Sequence, residues 1–393
     1  MTASLDAFAA AKLAELDARS LRRTLVPSAR EEGIHLTRGG RRLMSFCCND
    51  YLNLAQHAVT RRAAVEATQR WGVGAGASRL VTGNHPLYQE LETRLAAFKG
   101  AEAACVFGSG YLANTGIVPV LCGPADLVLL DELAHACLWA GARLSGATVI
   151  AFPHNDLDAL AGLLATRRAK YRHCLIATDG VFSMDGDLAP LPAMAALAQA
   201  HDAWLMTDDA HGLGVLGGGR GSSFAFGEKV AVPLQMGTLS KAVGGYGAYL
   251  CASRAVVELV RNRARTLIYS TGLPPATVAA ATAALDFIAR EPAYAALPVQ
   301  KARLFTRRAG LPEAQSPIVP VVLGDAAAAL DASRLLEEEG FLVTAIRPPT
   351  VPEGTARLRI TFTAAHPDGE VVRLADLVRA LVLPMASAAS RAA

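Results

Sequence analysis

A lone lysine, Lys241, lies in an apolar, glycine-rich stretch that reads MGTLSKAVGGYG over residues 236–247. A lysine on the surface needs no such packing, whereas a lysine that must reach a buried electrophile does. Burial favours the neutral amine, which is the form that attacks carbonyl groups and forms Schiff bases. The sequence therefore indicates a catalytic lysine. If this lysine binds an aldehyde cofactor, it needs three helpers: an acid at the pyridine nitrogen, a flat group that covers the ring, and a helix N-terminus that holds the phosphate.

Carboxylate and imidazole groups follow several apolar runs of the chain. The stretch WLMTDDAHG contains Asp208, Asp209 and His211. A carboxylate there can keep a pyridine nitrogen protonated and the imidazole can reach a ring oxygen, although aspartate is also common in turns that end strands. His135 lies in DELAHACLW and Ser183 lies in GVFSMDGD. For these two residues, a structural histidine and a turn serine are the alternative interpretations.

An anion-binding loop is indicated by FGSGYLANTG, which follows an apolar run and opens a predicted helix over residues 107–116. Small residues such as Gly110 let backbone N–H groups approach a phosphate, which the helix dipole favours. Tyr111 offers an aromatic face for a ring, or is a tyrosine at the edge of the core. The stretch is neither a Walker loop nor a full G-x-G-x-x-G fingerprint, which argues against a nucleotide-binding domain and leaves a plain helix start open.

A rigid arginine is a further candidate, because Arg347 is followed by two prolines in AIRPPTVP. A guanidinium group held in this way suits a substrate carboxylate. A surface arginine is the alternative interpretation.

The pattern of elements supplies a scaffold for these residues. From about residue 60, helical stretches alternate with short apolar runs, namely AACVFGSG, DLVLLDE, ATVIAFP, HCLIATDG, AWLMTDDAHG and PLQMGTLSK. Such alternation is typical of a parallel sheet covered by helices on both faces. In open α/β sheets, ligands bind beyond the carboxyl ends of the strands. The site is therefore predicted at that edge, where Thr238 also lies.

Three parts are predicted along the chain. An amphipathic helix over residues 5–24 belongs to an N-terminal arm (1–48), and the alternating pattern fills a large α/β domain (49–278). The stretches SPIVPVVLG, GFLVTAI and ARLRITF then predict strands of a smaller α+β domain (279–393).

Composition and charge exclude several classes of function. The net charge is only +3 and no basic stripe is interleaved with aromatics, so nucleic acid is not expected as a partner. The seven cysteines are scattered, without a CxxC pair or zinc spacing, which predicts buried thiols, a reducing compartment and no metal. The N-terminus is unlike a signal peptide, and no apolar run reaches the ~18 residues of a membrane span. We therefore expect a cytoplasmic protein without a membrane partner.

The chain resembles the α-oxoamine synthases, a family of fold-type I pyridoxal-phosphate enzymes. The matching stretches are NDYL (49–52), GAGASRLVTG (74–83), DGVFSMDGDLAPL (179–191), DDAHGLGVLG (208–217), GTLSKAVG (237–244) and TARLRITFTAAH (355–366). They follow the family's order and extend over nearly the whole chain. The resemblance implies an α/β fold with a mainly parallel seven-stranded sheet between helices, a smaller C-terminal α+β domain, an N-terminal helical arm, and a homodimer with shared active sites.

The resemblance also implies roles for individual residues. Lys241 would bond to the aldehyde of pyridoxal 5'-phosphate, Asp208 would pair with its pyridine nitrogen, and His135 would stack on its ring. With His211, these residues form the implied catalytic set. The other implied contacts are His211 and Ser183 at the ring hydroxyl, Gly110, Tyr111 and Thr238 at the phosphate, Thr271 at the partner subunit's phosphate, Arg347 at the amino-acid carboxylate with Asn49 nearby, Thr350 at the substrate, and Arg22, or the adjacent Arg23, at the distal carboxylate of an acyl donor.

Two stretches, IYSTGLPPA (268–276) and AIRPPTVPEGTARLR (345–359), are most similar to members of the family that condense L-alanine with a pimeloyl thioester in biotin biosynthesis. The thioester is carried by CoA or by a carrier protein. Members that join glycine to acetyl-CoA are the alternative within the family, and a non-catalytic binding module of the same fold is an alternative from another class. Asn53, where the family often has glycine, and Tyr88, where it often has histidine, are departures expected to act at the entrance of the site.

Overall fold

The computed structural model describes residues 3–18 and 21–385. Its strands are β1 (Ser28–Arg30), β2 (His35–Arg38), β3 (Arg41–Ser45), β4 (Ala103–Phe107), β5 (Leu127–Asp131), β6 (Thr148–Phe152), β7 (Cys174–Asp179), β8 (Trp204–Asp208), β9 (Leu234–Thr238), β10 (Ala248–Ala252), β11 (Ile318–Gly324), β12 (Phe341–Leu342), β13 (Thr344–Ile346) and β14 (Ala356–Thr361). Its α-helices are α1 (Ala3–Ala18), α2 (Ala58–Trp71), α3 (Leu87–Lys99), α4 (Gly110–Leu121), α5 (Ala136–Ser145), α6 (Leu157–Arg167), α7 (Leu191–Ala200), α8 (Arg254–Arg263), α9 (Arg265–Ile268), α10 (Pro275–Arg290), α11 (Pro292–Ala309), α12 (Ala326–Glu338) and α13 (Asp368–Leu377). Over the same residues, every helix is too short or too polar to cross a lipid bilayer.

A seven-stranded sheet of order β4-β10-β9-β8-β7-β5-β6 forms the centre of the larger part. The pairs from β9 to β6 are parallel, whereas β10 is antiparallel to both β9 and β4. The predicted mainly parallel sheet is therefore confirmed, and each of the six predicted runs contains one of its strands. The strand that the alternation did not predict is β10.

Helices cover both faces of this sheet, which explains why its strands are apolar without alternation. In β5, Val128 and Leu130 pack in the same cluster as side chains of α4 and α5. Leu127 and Leu129 point the other way and pack with residues of α6 and α7. Because both faces are buried, the positions left for function are those just beyond the ends of the strands.

The smaller part of the fold is built from two further sheets and helices α11, α12 and α13. The strand order β11-β14-β13 is antiparallel, and these strands lie in the three stretches predicted for the C-terminal region. A second sheet has the order β1-β2-β3-β12, in which β12 pairs in parallel with β3. Residues 41–45 of the predicted arm are thus joined to residues 341–342, and the three-domain division of the chain stays a prediction.

The N-terminal helix is shorter than predicted. The prediction extended it over residues 5–24, but α1 ends at Ala18, residues 19–20 lie outside the described ranges, and residues 21–24 are not helical. Leu21 N–H donates to the Leu16 carbonyl over 2.8 Å, a bond that closes a helix end. The apolar side chains of α1, including Leu5 and Phe8, are exposed in the single chain, so no packing within the chain extends the helix.

Candidate active site

A cavity of about 190 Å³ opens beyond the carboxyl ends of the central strands, at the edge where the sequence predicts the site. Residues that follow β4, β5, β8 and β9 meet there with residues at the ends of β7, β8 and β9. Its lining consists of Gly110, Tyr111, His135, Cys137, Asp179, Val181, Asp208, Ala210, His211, Thr238, Ser240 and Lys241. The structure therefore brings together all four predicted catalytic residues and the three residues predicted at the phosphate.

Lys241 is the last of three side chains linked in series by hydrogen bonds, and the first of them is Tyr51. Its Nζ lies 2.7 Å from His211 Nε2, and His211 Nδ1 lies 2.7 Å from the hydroxyl of the fully buried Tyr51. Burial lowers the pKa of Lys241 to about 8, although the carboxylates of Asp208 and Asp179 oppose that shift. Burial and the charge of Lys241 hold the pKa of His211 well below its ordinary value. A neutral imidazole thus faces a lysine that loses its proton near neutral pH.

Asp208 is an acidic residue that lines the cavity. Its Oδ2 accepts a hydrogen bond from Asn114 Nδ2 over 2.7 Å, and its Oδ1 accepts one from the Ala210 N–H over 3.0 Å. The second bond is the turn that the alternative interpretation of this aspartate described, so the residue both ends a strand and lines the cavity.

Asp209 points away from the cavity and serves the fold. Its carboxylate lies 2.7 Å from Lys99 Nζ, with both side chains almost completely buried, and it accepts a hydrogen bond from the Ser222 N–H. The local pattern did not distinguish the two aspartates, whereas the resemblance implied Asp208, and the geometry agrees because successive residues at a strand end point to opposite sides.

His135 caps the N-terminus of α5. Its Nδ1 accepts a hydrogen bond from the Cys137 N–H over 3.3 Å and lies 2.8 Å from Cys137 Sγ. Burial lowers the pKa of His135, which favours the neutral ring. Since Nδ1 accepts a backbone hydrogen bond, the single ring proton of the neutral form lies on Nε2.

A second carboxyl group, Asp179, lines the cavity and was not predicted. It pairs in register with Asp208 across β7 and β8, and its Oδ1 accepts a hydrogen bond from the His135 N–H over 3.1 Å. Burial and the neighbouring Asp208 raise the pKa of Asp179 well above its ordinary value. Burial beside Asp208 thus favours the protonated form of the Asp179 carboxyl group. The signal in the sequence was the aspartate near the end of HCLIATDG. Its importance appears only when β7 pairs with β8 and places Asp179 beside Asp208.

The predicted phosphate end combines a helix start with hydroxyl groups. Helix α4 begins at Gly110, and the Ser109 side chain caps it by accepting a hydrogen bond from the Leu112 N–H. Thr238 Oγ1 donates to the Gly247 carbonyl over 2.8 Å and lies 2.7 Å from Ser240 Oγ. Tyr111 is mostly exposed, which is the position of a side chain open to a ligand rather than of a core residue.

Arg359 is a further unpredicted residue next to the site. Its guanidinium group is buried and donates to Asn49 Oδ1 over 3.1 Å and to the Ser183 carbonyl. Its positive charge also contributes to the lowered pKa values of Lys241 and His211. The stretch ARLRITF predicted a strand, and the sequence did not indicate that β14 places the Arg359 side chain beside the cavity.

The other predicted residues lie outside the cavity lining. Ser183 and Asn49 are held by Arg359, whereas Thr271 is exposed and forms an isolated bridge with Ser78. Arg347 is partly buried, and its carbonyl accepts a hydrogen bond from the Thr350 N–H over 3.1 Å.

The two N-terminal arginines have different contacts. Arg22 pairs with Asp17 over 2.8 Å, within the N-terminal arm itself. Arg23 donates to Thr350 Oγ1 over 3.0 Å and so contacts the turn that follows Arg347. Of the two arginines that the sequence left open, Arg23 is therefore the one placed against a predicted substrate-binding residue.

The two departures from the family's pattern have structural explanations. Asn53 has a left-handed backbone with φ of 54°, a conformation that glycine adopts freely and asparagine tolerates. The buried Tyr88 hydroxyl accepts a hydrogen bond from the Leu273 N–H and its ring lies under the Arg79 guanidinium. Tyr88 thus holds the segment that follows Thr271.

Comparison with known proteins gives one family. Residues 41–378 match the model of aminotransferase class I and II. The 8-amino-7-oxononanoate synthase of Beijerinckia indica is 62% identical over 379 residues, which are 96% of this chain and 98% of that protein. A solved structure of the same-named enzyme from Francisella tularensis has a TM-score of 0.73 at 27% identity, over 89% of this chain and 98% of that one.

A structure described as SPT with PLP matches more closely in shape, with a TM-score of 0.88 at 29% identity over 100% of this chain and 98% of that one. The match of the whole fold and the near full-length relatives agree with the site geometry. The chain belongs to the aminotransferase class I and II family, and within it to the fold-type I α-oxoamine synthases.

Proposed function

We propose that the chain is an 8-amino-7-oxononanoate synthase that uses pyridoxal 5'-phosphate (PLP). It joins L-alanine to the acyl carbon of a pimeloyl thioester, and the products are 8-amino-7-oxononanoate, the free thiol and CO2. The observation that carries the proposal is the pairing of Lys241, whose pKa is about 8, with His211 in a cavity that the buried Asp208 also lines. The 62% identity to an enzyme of that name supports the choice of substrates.

The residues of the cavity fit PLP at each of its functional groups. Lys241 would hold the aldehyde carbon, Asp208 the pyridine nitrogen, and the flat ring of His135 one face of the cofactor. The N–H groups at the start of α4 near Gly110 would hold the phosphate, together with Thr238 once its hydroxyl turns away from the Gly247 carbonyl. When bound, PLP supplies an electron sink that stabilises negative charge on the Cα atom of an amino acid.

Lys241 is proposed as the base that removes the Cα proton of L-alanine. Its lowered pKa makes a large part of the amine neutral near pH 8, and its hydrogen bond to His211 Nε2 holds Nζ in one direction. A base whose pKa lies near the working pH is the most effective one. The same lysine then returns a proton to the carbon atom that has lost CO2.

His135 is proposed to act on the acyl donor as well as on the cofactor ring. Its Nδ1 is occupied by the Cys137 N–H, so Nε2–H is free to donate to the thioester carbonyl oxygen. The backbone bond to Asp179 fixes the residue that carries this ring. A neutral donor of this kind stabilises the charge that develops on the oxygen when the carbon–carbon bond forms.

Substrate carboxylates are assigned to two arginine-containing regions. We propose that Arg359 with Asn49 binds the carboxylate of L-alanine, because this buried guanidinium group lies close enough to influence the pKa of Lys241. Arg347 stays the residue predicted from the sequence for the same carboxylate. The distal carboxylate of the pimeloyl chain is assigned to the N-terminal arm, through Arg23 at Thr350 or through Arg22.

A paired-substrate assay tests the proposed reaction. Purified protein loaded with PLP is given L-alanine or glycine, each with pimeloyl-CoA or acetyl-CoA, and both thiol release and product mass are measured. We expect a product only from L-alanine with pimeloyl-CoA, and no product from Lys241→Ala. A product only from glycine with acetyl-CoA would move the enzyme to the alternative reaction of the family. No product from any pair, with PLP bound, would contradict a catalytic role.

A further inference from the structure

We propose that Asn114 is a positioning residue that holds Asp208 in the orientation and charge state needed at a pyridine nitrogen. This inference rests on the proposed cofactor, and it assigns a function to a residue of α4 that does not line the cavity. The side chain of Asn114 is completely buried, yet it is polar.

The hydrogen bonds of Asn114 converge on the acid of the site. Its Nδ2 donates to Asp208 Oδ2 over 2.7 Å, and the same nitrogen donates to Cys137 Sγ over 3.0 Å. An ionised carboxylate only accepts hydrogen bonds, so the amide nitrogen must face Asp208. Oδ2 also accepts a long hydrogen bond of 3.9 Å from Cys137 Sγ, whereas Oδ1 accepts one from the Ala210 N–H and keeps a lone pair for another N–H.

The carbonyl end of the Asn114 side chain has no hydrogen bond that would hold the amide in this orientation. Asn114 Oδ1 is buried and has no hydrogen-bond partner among the described residues. A buried carbonyl oxygen without a donor is unfavourable, and an apolar residue of similar size would avoid it. The hydrogen bond from Asn114 Nδ2 to the carboxylate of Asp208 offsets this cost, because hydrogen bonds to ionised groups are the strong ones.

The backbone around Asn114 is fixed by close packing of two helices. A Cβ atom on Gly141 of α5 would lie 2.4 Å from the backbone carbonyl oxygen of Asn114, so only glycine allows this approach. The contact places α4 against α5, and His135 caps the first turn of α5. Cys137, which accepts the second Asn114 bond, lies 2.8 Å from His135 Nδ1. One amide thus connects the acid of the site with the residue proposed to cover the cofactor ring.

A double-mutant cycle tests the assignment without an activity assay. The dissociation constant for PLP is measured by titrating the cofactor-free protein, for the unaltered chain, Asn114→Leu, Asp208→Asn and the double variant. We expect Asn114→Leu alone to weaken PLP binding about tenfold or more, because a charge-assisted bond to Asp208 is lost. In the Asp208→Asn background the same change should alter binding by less than about twofold, because the charge that it serves is absent.

Thr115→Val is the matched control, since Thr115 is a buried polar residue of the same helix whose hydroxyl bonds within α4. Its PLP affinity should equal that of the unaltered chain within about twofold. Melting temperatures of the cofactor-free proteins show whether Asn114→Leu folds, and Asn114→Ala replaces it in the same cycle if it does not.

Equal weakening by the Asn114 substitution in both backgrounds would overturn the proposal, and so would unchanged affinity in the single variant. If the unaltered protein fails to bind PLP, the proposed cofactor is wrong and the inference falls with it. Binding by the unaltered protein that is insensitive to Asn114 would overturn the inference alone.

Discussion

Lys241 illustrates how burial sets chemistry at the scale of one residue. Two carboxylates favour its charged form, yet removal from water dominates and leaves its pKa at about 8. His211, which is also kept neutral by burial, can accept a hydrogen bond from the charged amine without adding a second positive charge. The lysine is therefore able both to take and to return a proton near neutral pH.

The first prediction concerns pH. Because the neutral amine of Lys241 is the proposed base, kcat should rise with pH up to about 8, by up to tenfold per unit, and then level off as this amine becomes fully deprotonated. The measurement is kcat at saturating substrates between pH 6 and about 9.5. Lys170→Ala, which removes an exposed lysine, should leave the profile unchanged. A kcat that is constant across this range would contradict the assigned base.

The second prediction separates two arginines. Arg359→Lys keeps the charge but removes the bidentate geometry, so the KM for L-alanine should rise about tenfold or more, while the KM for the thioester changes less. Arg347→Lys is the matched comparison, and the larger rise in KM identifies the arginine that binds the carboxylate. If only Arg347→Lys raises the KM, the assignment of Arg359 is wrong and the prediction from the sequence holds.

At the scale of elements, the site depends on a helix pair that approaches closely at a glycine. Gly141→Ala would place a methyl group 2.4 Å from the Asn114 carbonyl oxygen, so α4 and α5 must separate. We expect a loss of about 1–3 kcal/mol in the free energy of unfolding and weaker PLP binding. Gly162→Ala in α6 is the control, because nothing lies within 4 Å of its added Cβ.

Both glycines are inside helices, so backbone propensity acts alike on the two variants. Gly162→Ala should stabilise the protein by up to about 1 kcal/mol, as alanine does at an open helical position. Urea unfolding of both variants gives the comparison. An equal increase in the free energy of unfolding for both variants would show that α4 and α5 can separate at Gly141 without loss of stability, and would contradict the prediction.

The sequence predicts strand ends better than it predicts which side chains meet there. The runs that contain β5, β7, β8 and β9 are apolar and end in polar residues, so the position of the site follows from the alternation alone. Asp179 and Arg359 were not predicted because their proximity depends on the pairing of β7 with β8 and on the approach of β14. The strand β10 was missed because it runs antiparallel and falls outside the alternation.

The local pattern also leaves open the direction in which adjacent side chains point and the residue at which a helix ends. Asp208 and Asp209 are adjacent in sequence; the resemblance selected Asp208, but the local pattern does not show that Asp208 faces the cavity while Asp209 pairs with Lys99. The end of α1 was predicted wrongly since its apolar pattern continues to Leu21 without a packing partner in the chain. Roles that depend on contact between distant segments therefore need the fold, whereas Lys241 itself is visible from local composition.

At the scale of the whole molecule, apolar residues left exposed near Thr271 support the homodimer that the family resemblance implies. Val81 and Tyr269 are each more than 70% exposed, and the bridge between Ser78 and Thr271 places their segments side by side. Exposed apolar side chains that cluster in this way mark protein interfaces. Thr271 lies in the same surface. The resemblance predicts that Thr271 contacts the phosphate in the partner subunit, which requires it to lie at the interface.

The last prediction follows from this surface. If Val81 lies in the predicted dimer interface, Val81→Glu should shift the protein from a dimer to a monomer in light scattering at micromolar concentration, because burying a charge there is unfavourable. PLP binding should weaken with dissociation, since each site would lose the partner's Thr271. Val322→Glu, a matched change at an exposed valine of β11, should leave both the mass and the affinity unchanged. A Val81→Glu monomer that binds PLP as tightly as the unaltered protein would show that each site is complete within one chain.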